Sequence, residues 1–118
     1  MAVISVSLYE RESTNREFKE SPFDQGEDEQ VAFAITVPTS WGSSTLASLA
    51  SVLYEDPDGD NTDVSATKIS GVTTASGQVI TTGLVKSLTD GKKYRLEVKF
   101  TSSESNVLEA YAFIFAQR

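Results

Sequence analysis

The residues whose types and spacing come nearest to chemistry lie in DPDGDNTD, residues 56–63, where four aspartates and one glycine fall within eight positions. Carboxylate oxygens at Asp56, Asp58 and Asp60 have the one, three, five spacing of a calcium loop, with Asp63 as a fourth ligand. A calcium hand also needs glycine at the sixth position and a bidentate glutamate at the twelfth, where this chain has Asn61 and Thr67. Half the motif is present, so these four aspartates are weak metal candidates only. The same residues make a good turn: Pro57 suits its first corner, Gly59 accepts positive φ, and Asp and Asn side chains cap nearby backbone. The expectation is a solvated connection between two strands that needs no ion, and no cofactor.

Other chemistry is poorly served. The chain has no histidine and no cysteine, which removes His-based triads, thiolate metal sites, most zinc sites and disulfides. Paired carboxylates could serve a hydrolase, but most acidic residues lie in this turn or in the stretch 10–30, where water holds their protons off. No G-x-S-x-G occurs, no S-x-x-K accompanied by its partner motifs, and no glycine-rich phosphate loop; GVTTASG lacks the lysine such a cradle uses. No catalytic residue is assigned and no enzyme is expected. With 17 acidic against 10 basic residues the net charge of −7 argues against duplex nucleic acid or an anionic membrane as partner. MAVISVSLYERES has no basic flank and no apolar span long enough for a signal peptide or a membrane helix, so no secretion signal is expected.

The elements that must carry these residues are strands. Ile4, Val6 and Leu8 alternate with serines. Val31, Phe33, Ile35 and Val37 share one face of EQVAFAITVP, and about Leu49 to Glu55 forms a further strand. Trp41, in the loop between these two, has two readings: it covers one end of the core or it sits in a contact surface. VSATKISG and GQVITTGLV are threonine-rich and β-prone, separated by TTASG as a turn. KKYRLEVKF buries Tyr94, Leu96, Val98 and Phe100 and leaves Lys93, Arg95, Glu97 and Lys99 wet. VLEAYAFIFAQ is apolar on both faces, with Tyr111, Phe113 and Phe115 assigned to the core and Ala110, Ala112, Ile114 and Ala116 to a second cover. That cover is either the N-terminal arm or another subunit, unless the segment is helical. The arm, Glu10 to Gln30, holds eight acidic and three basic residues with Phe18 and Phe23 as its large apolar groups. It reads as a solvated, mobile connection or as a segment that orders on a partner through those two phenylalanines.

About seven short strands and no long amphipathic helix point to an all-β single domain over 1–118, an antiparallel sandwich or partly open barrel. Leu88, Gly91 and Tyr94 in LTDGKKY have the spacing of a tyrosine corner, in which the hydroxyl returns to backbone a few residues upstream. A hairpin turn followed by an ordinary buried tyrosine is the plainer reading.

The layout resembles small immunoglobulin-like structural proteins of tailed bacteriophages and prophages. The resemblance rests on KESPFDQGED before VAFAITV, the serine- and threonine-rich middle, LTDGKKYRLEVKFTSSESN, and VLEAYAFIFA, together approximately Lys19 to Ala116. It implies an immunoglobulin-like antiparallel β-sandwich of about seven strands with a long acidic N-terminal arm. It also implies a non-enzymatic virion part, a decoration, neck or tail component assembled in the host cytoplasm through self-association or contacts with other virion proteins. By position Leu88, Gly91 and Tyr94 match its turn-and-tyrosine feature, and 102–106 its hairpin before the closing strand, here without glycine. The interface candidates are Phe18, Phe23, Ala110, Ala112, Ile114 and Ala116. The alternative is a glycan- or receptor-binding sandwich module, with Trp41 as its stacking residue.

Overall fold

The computed structural model describes residues 2–10, 15–41, 46–101 and 107–117. In chain order the strands are β1 (Ala2–Ser7), β2 (Phe23–Gly26), β3 (Val31–Thr36), β4 (Ala47–Glu55), β5 (Thr62–Asp63), β6 (Ile69–Ser70), β7 (Thr74–Ser76), β8 (Val79–Thr81), β9 (Leu84–Val85), β10 (Lys93–Thr101) and β11 (Val107–Gln117). A 3-10 turn covers Thr39–Trp41, and one helical turn, α1, covers Ser65–Lys68. The strands build two packed sheets in a sandwich-like, all-β arrangement. One sheet is centred on β3, which pairs in parallel with β1 and antiparallel with β8 and β9; β7 and β6 lie outside these. The other runs β2-β11-β10-β4-β5.

Alternation decides what each long strand buries. Val31, Phe33 and Ile35 on β3, followed by Val37, are all 3% exposed or less, and so are Tyr94, Leu96, Val98 and Phe100 on β10. Where β8 gives way to β9 along β3, Thr82 replaces the ladder: its N–H donates to Phe33 O and its hydroxyl accepts from Phe33 N–H. Gly83 follows because a Cβ there would lie 2.6 Å from Ser70 O and 2.7 Å from Gly71 O.

Within the acidic arm, residues 15–30 differ from the expectation of a mobile connection. Phe18 N–H donates to Tyr111 O, Tyr111 N–H donates to Arg16 O, and β2 then pairs in parallel with β11 from Ile114 to Gln117. Between these contacts Ser21 Oγ takes the ladder position, accepting from Phe113 N–H and donating to Glu17. The mean charge of the segment hides an alternation. Phe18 and Gln25 turn inward, 1% and 3% exposed, while Asp24 stays in water. A segment that borrows an existing strand edge needs only a few inward residues, so its charge density is no obstacle to order.

The faces of β11 are the reverse of those expected. Ala110, Ala112, Ile114 and Ala116 are 4% exposed or less and belong to the core, whereas Tyr111 and Phe113 are half-buried and Phe115 is 38% exposed. The reason is register. Tyr94 pairs with Ile114, and Arg95 with Phe113, so the aromatic set of β11 shares the wet face of β10. The small inward side chains sit in one core cluster with Phe18 and Phe33, against which Phe23 packs, so large groups from the arm and from β3 occupy the space they leave. Phe18 and the four inward residues of β11 are therefore core of this chain and not free interface.

Two shorter segments also differ. VSATKI begins as α1, because Asp63 accepts from both Ser65 N–H and its hydroxyl, and Ser65 Oγ accepts from Leu53 N–H. Thr74–Ser76 is strand, with the turn displaced to Gly77, whose φ is +58°. The glycine-free hairpin at 102–106 lies outside the described residues.

Candidate functional site

The outward face of the β4-β10-β11 sheet sets four aromatic side chains, Tyr54, Tyr111, Phe113 and Phe115, beside three basic ones, Lys93, Arg95 and Lys99. Alternation puts Lys93, Arg95, Glu97 and Lys99 of β10 on this face, and the antiparallel register lays neighbours beside each. Arg95 stands between Tyr54 and Phe113, Glu97 between Val52 and Tyr111, Lys99 between Ala50 and Glu109, and Lys93 opposite Phe115.

The closest contacts run on the diagonal, as sheet twist brings long side chains over the neighbour two residues along. The Arg95 guanidinium lies 4.4 Å from the Tyr111 ring centre and Lys93 Nζ lies 4.5 Å from that of Phe113. Tyr111 and Phe113 meet edge to face at 5.7 Å. Arg95 Nε is 3.0 Å from Glu97 Oε2, an ion pair without the linear geometry of a hydrogen bond. Each cation over a ring contributes on the order of 0.5–1 kcal/mol at such exposure, a bias of a few-fold toward this arrangement. The result is a cluster of Tyr54, Tyr111, Phe113 and Phe115 with Arg95 and Lys93 lying over its rings. Aromatic and arginine side chains of this kind lose little conformational freedom when a partner covers them, which is why they dominate protein interfaces.

The 56–63 turn borders this cluster through Lys93. Gly59 N–H donates to Asp56 O, closing a turn with Pro57 at its first corner. Positive φ falls on Asp56 (+54°) and Asn61 (+51°) and not on Gly59. Asp56 pairs with Lys92 at 3.0 Å, and the bond that the ammonium donates to this carboxylate, together with the carboxylate's charge, raises the lysine's pKa. Asp58 pairs with Lys93 at 2.7 Å. Asp63 accepts from the N–H and the hydroxyl of Ser65 at the start of α1, and these two donors hold its pKa below the usual carboxylate value. Among the described residues no group of three or more acidic side chains converges as metal ligands. Three of the four aspartates are turned to lysines or to Ser65, and each is explained by that partner.

Trp41 is buried, 2% exposed, and donates from Nε1 to Tyr9 O at 2.8 Å. Its ring lies 5.9 Å from that of Phe100 and the Arg16 guanidinium covers it at 4.7 Å. It closes one end of the core and offers no ring face to a sugar. Phe23 is half-buried, its ring 5.0 Å from Phe33. Leu88 is buried, Gly91 takes φ +82°, and the Tyr94 hydroxyl accepts from Thr89 N–H and donates to Glu55, both at 2.8 Å. Burial raises the pKa of the Tyr94 phenol.

Sequence reasoning placed the wet face of β10 correctly but missed the cluster, because it gave the aromatics of β11 to the core. The available signal was parity: pairing Thr101 with Val107 across the short connection puts Lys93, Arg95 and Glu97 beside Phe115, Phe113 and Tyr111.

No protein-family model matches the chain, and no curated protein is similar to it at a significant level. Among solved structures the chain is similar to the cysteine protease inhibitor EhICP2 from Entamoeba histolytica, with 10% identity over 99% of this chain and 97% of that one. The TM-score of 0.44 is too low for that likeness to assign fold family or activity.

Proposed function

We propose that this chain is a non-enzymatic, immunoglobulin-like building block that acts through protein–protein contacts made by the outer face of β4, β10 and β11. The observation that carries the reading is the aromatic cluster itself. Four aromatic side chains, three of them with Lys93 or Arg95 over the ring, occupy the solvent face of a regular sheet where packing inside the chain does not require them. On a soluble acidic chain, such a face costs hydration unless a partner covers it.

Two features support the immunoglobulin-like part. Taking β1, β3, β8 and β7 as strands A, B, E and D, and β4, β10 and β11 as C, F and G, the neighbours follow the A-B-E-D and C-F-G orders of that fold. The tyrosine that bonds back to Thr89 N–H then opens strand F, where a tyrosine corner belongs. The parallel pairing of β1 with β3 departs from an all-antiparallel sandwich. The virion setting, as a decoration, neck or tail component, rests on the resemblance of the chain to phage structural proteins. The glycan-binding alternative has lost its residue, since Trp41 is inside.

The test is incorporation. In a host carrying the gene, the wild-type chain should band with particles on a density gradient, and Phe113→Ser/Phe115→Ser should fold but remain at the top. Equal incorporation of the variant would overturn the role of the face, and absence of the wild-type chain from particles would overturn the setting.

A further inference from the structure

We propose that residues 15–29 form a detachable strap over the edge of β11, a unit that opens and recloses while the two sheets stay folded. β11 is bonded on both sides, to the strap and to β10, in alternation. Tyr111 exchanges both backbone bonds with the strap, donating to Arg16 O and accepting from Phe18 N–H, while Phe113 N–H donates to Ser21 Oγ and Gln117 O accepts from Glu27 N–H. The even residues turn the other way: Ala116 N–H donates to Lys92 O, and by the same parity the groups of Ala110, Ala112 and Ile114 point to β10. Loss of the strap therefore leaves the β10 ladder whole, from Lys93 with Phe115 to Thr101 with Val107. β1 likewise stays on β3 through six residues in register.

What the strap contributes to the core is small for its length. Its fifteen residues supply one buried apolar side chain, Phe18, with Phe23 half-buried, whereas the eleven of β11 supply Leu108, Ala110, Ala112, Ile114 and Ala116. Its pairing is thin as well: a bridge from Glu17 to Tyr111, four residues of parallel ladder at Phe23–Gly26, and between them a side chain, Ser21 Oγ, in place of backbone. Six carboxylates against Arg16 and Lys19 put a net charge of −4 here on a chain of −7, so closing gathers like charge. Phe18, and Glu20 through its bonds to the Ser7 N–H and hydroxyl, are the chief side-chain fastenings. Segments with few buried apolar contacts and mostly edge hydrogen bonds are those that open below the free energy of global unfolding.

Closed, the strap covers the edge of the longest strand in the fold from Tyr111 to Gln117. Open, it bares the outward backbone groups of Tyr111, Phe113 and Phe115 beside the aromatic cluster. β11 has no proline to guard that edge, and Glu109 is its one charge. The acidic segment is the guard instead, and its opening sets how often the edge is bare.

Native-state hydrogen exchange in low urea, read residue by residue, tests this on wild type, Tyr94→Phe and Phe18→Ala. In wild type the Tyr111 and Phe115 amides, which face the strap, should exchange at least about tenfold faster than those of Ala112 and Ile114, which face β10, and with a weaker urea dependence. Tyr94→Phe removes an oxygen bonded to Thr89 and Glu55, outside the strap. It should speed Ala112 and Ile114 at least about tenfold and leave Tyr111 and Phe115 unchanged. Phe18→Ala should speed Tyr111 and Phe115 by one common factor, as a single unit requires; where that variant does not fold, Ser21→Ala makes the same comparison. Equal rates and urea dependence for the two sets in wild type, or a Tyr94→Phe effect shared by both, would mean that the strap leaves only with global unfolding and would overturn the proposal. So would a Phe18→Ala effect confined to Tyr111, which would reduce the opening to fraying at one end.

Discussion

Tyr94→Phe isolates the corner that joins the turn at 88–91 to β10, because it removes one oxygen and leaves the buried ring. That oxygen accepts from Thr89 N–H at 2.8 Å and donates to the Glu55 carboxylate at 2.8 Å. The neutral bond is worth about 0.5–1.5 kcal/mol net and the charge-assisted one about 1.5–3 kcal/mol. Glu55 is half-buried and recovers some hydration once the hydroxyl is gone, which trims the upper end to a total of about 2–3 kcal/mol. For a chain of this length that corresponds to a fall in melting temperature of roughly 6–15 °C. Urea unfolding should show the midpoint drop at unchanged slope, since the folded surface does not change. Glu55→Gln alone should cost less, and the double variant should fall short of the sum because the two share one bond. A Tyr94→Phe loss below about 0.5 kcal/mol would refute the corner as a stabilising device, the two bonds being too weak to matter.

Gly83→Ala should destabilise by about 3 kcal/mol or more, because the new methyl meets two backbone carbonyls that cannot turn aside; thermal unfolding reads this directly. Glu20 holds the arm to β1: partial burial raises its pKa, but the Ser7 N–H and hydroxyl outweigh that and lower it overall. Its contribution is therefore present above the ordinary glutamate range and is lost as pH falls through the lowered value. Glu20→Gln should flatten that acid limb of the stability–pH curve relative to wild type. Calcium should shift the melting temperature little, and Asp58→Asn/Asp60→Asn should leave the fold intact. A large calcium-dependent rise abolished by that pair would make the turn a metal site. Trp41→Ala should cost about 3–5 kcal/mol as a core truncation, so its first effect appears in stability.

Strand positions were legible wherever the large apolar residues alternate with small or polar ones. β3 and β10 follow from alternation, and the Leu88-Gly91-Tyr94 spacing marked a hydroxyl that does return to Thr89. What alternation cannot supply is register or borrowed partners. For β11, apolar on both sides, only the pairing with β10 decides which set faces inward. For the arm, composition describes an average, whereas its order depends on single contacts such as Phe18 N–H to Tyr111 O that exist only once β11 offers an edge. Trp41 likewise depends on a distant backbone acceptor, Tyr9 O, that no local pattern encodes. In the 56–63 turn, local rules placed Pro57 correctly, but Asp56 and Asn61, not the glycine, took the left-handed conformation, as aspartate and asparagine tolerate it through their own side-chain bonds.

Hydroxyl-radical footprinting of the chain, free and within assembled particles, tests the contact face most directly. Tyr54, Tyr111, Phe113 and Phe115 should lose reactivity on assembly while Val72, 78% exposed and on the other sheet's side of the fold, keeps it. Outer-face aromatics as reactive in the particle as in free solution would contradict a contact face there.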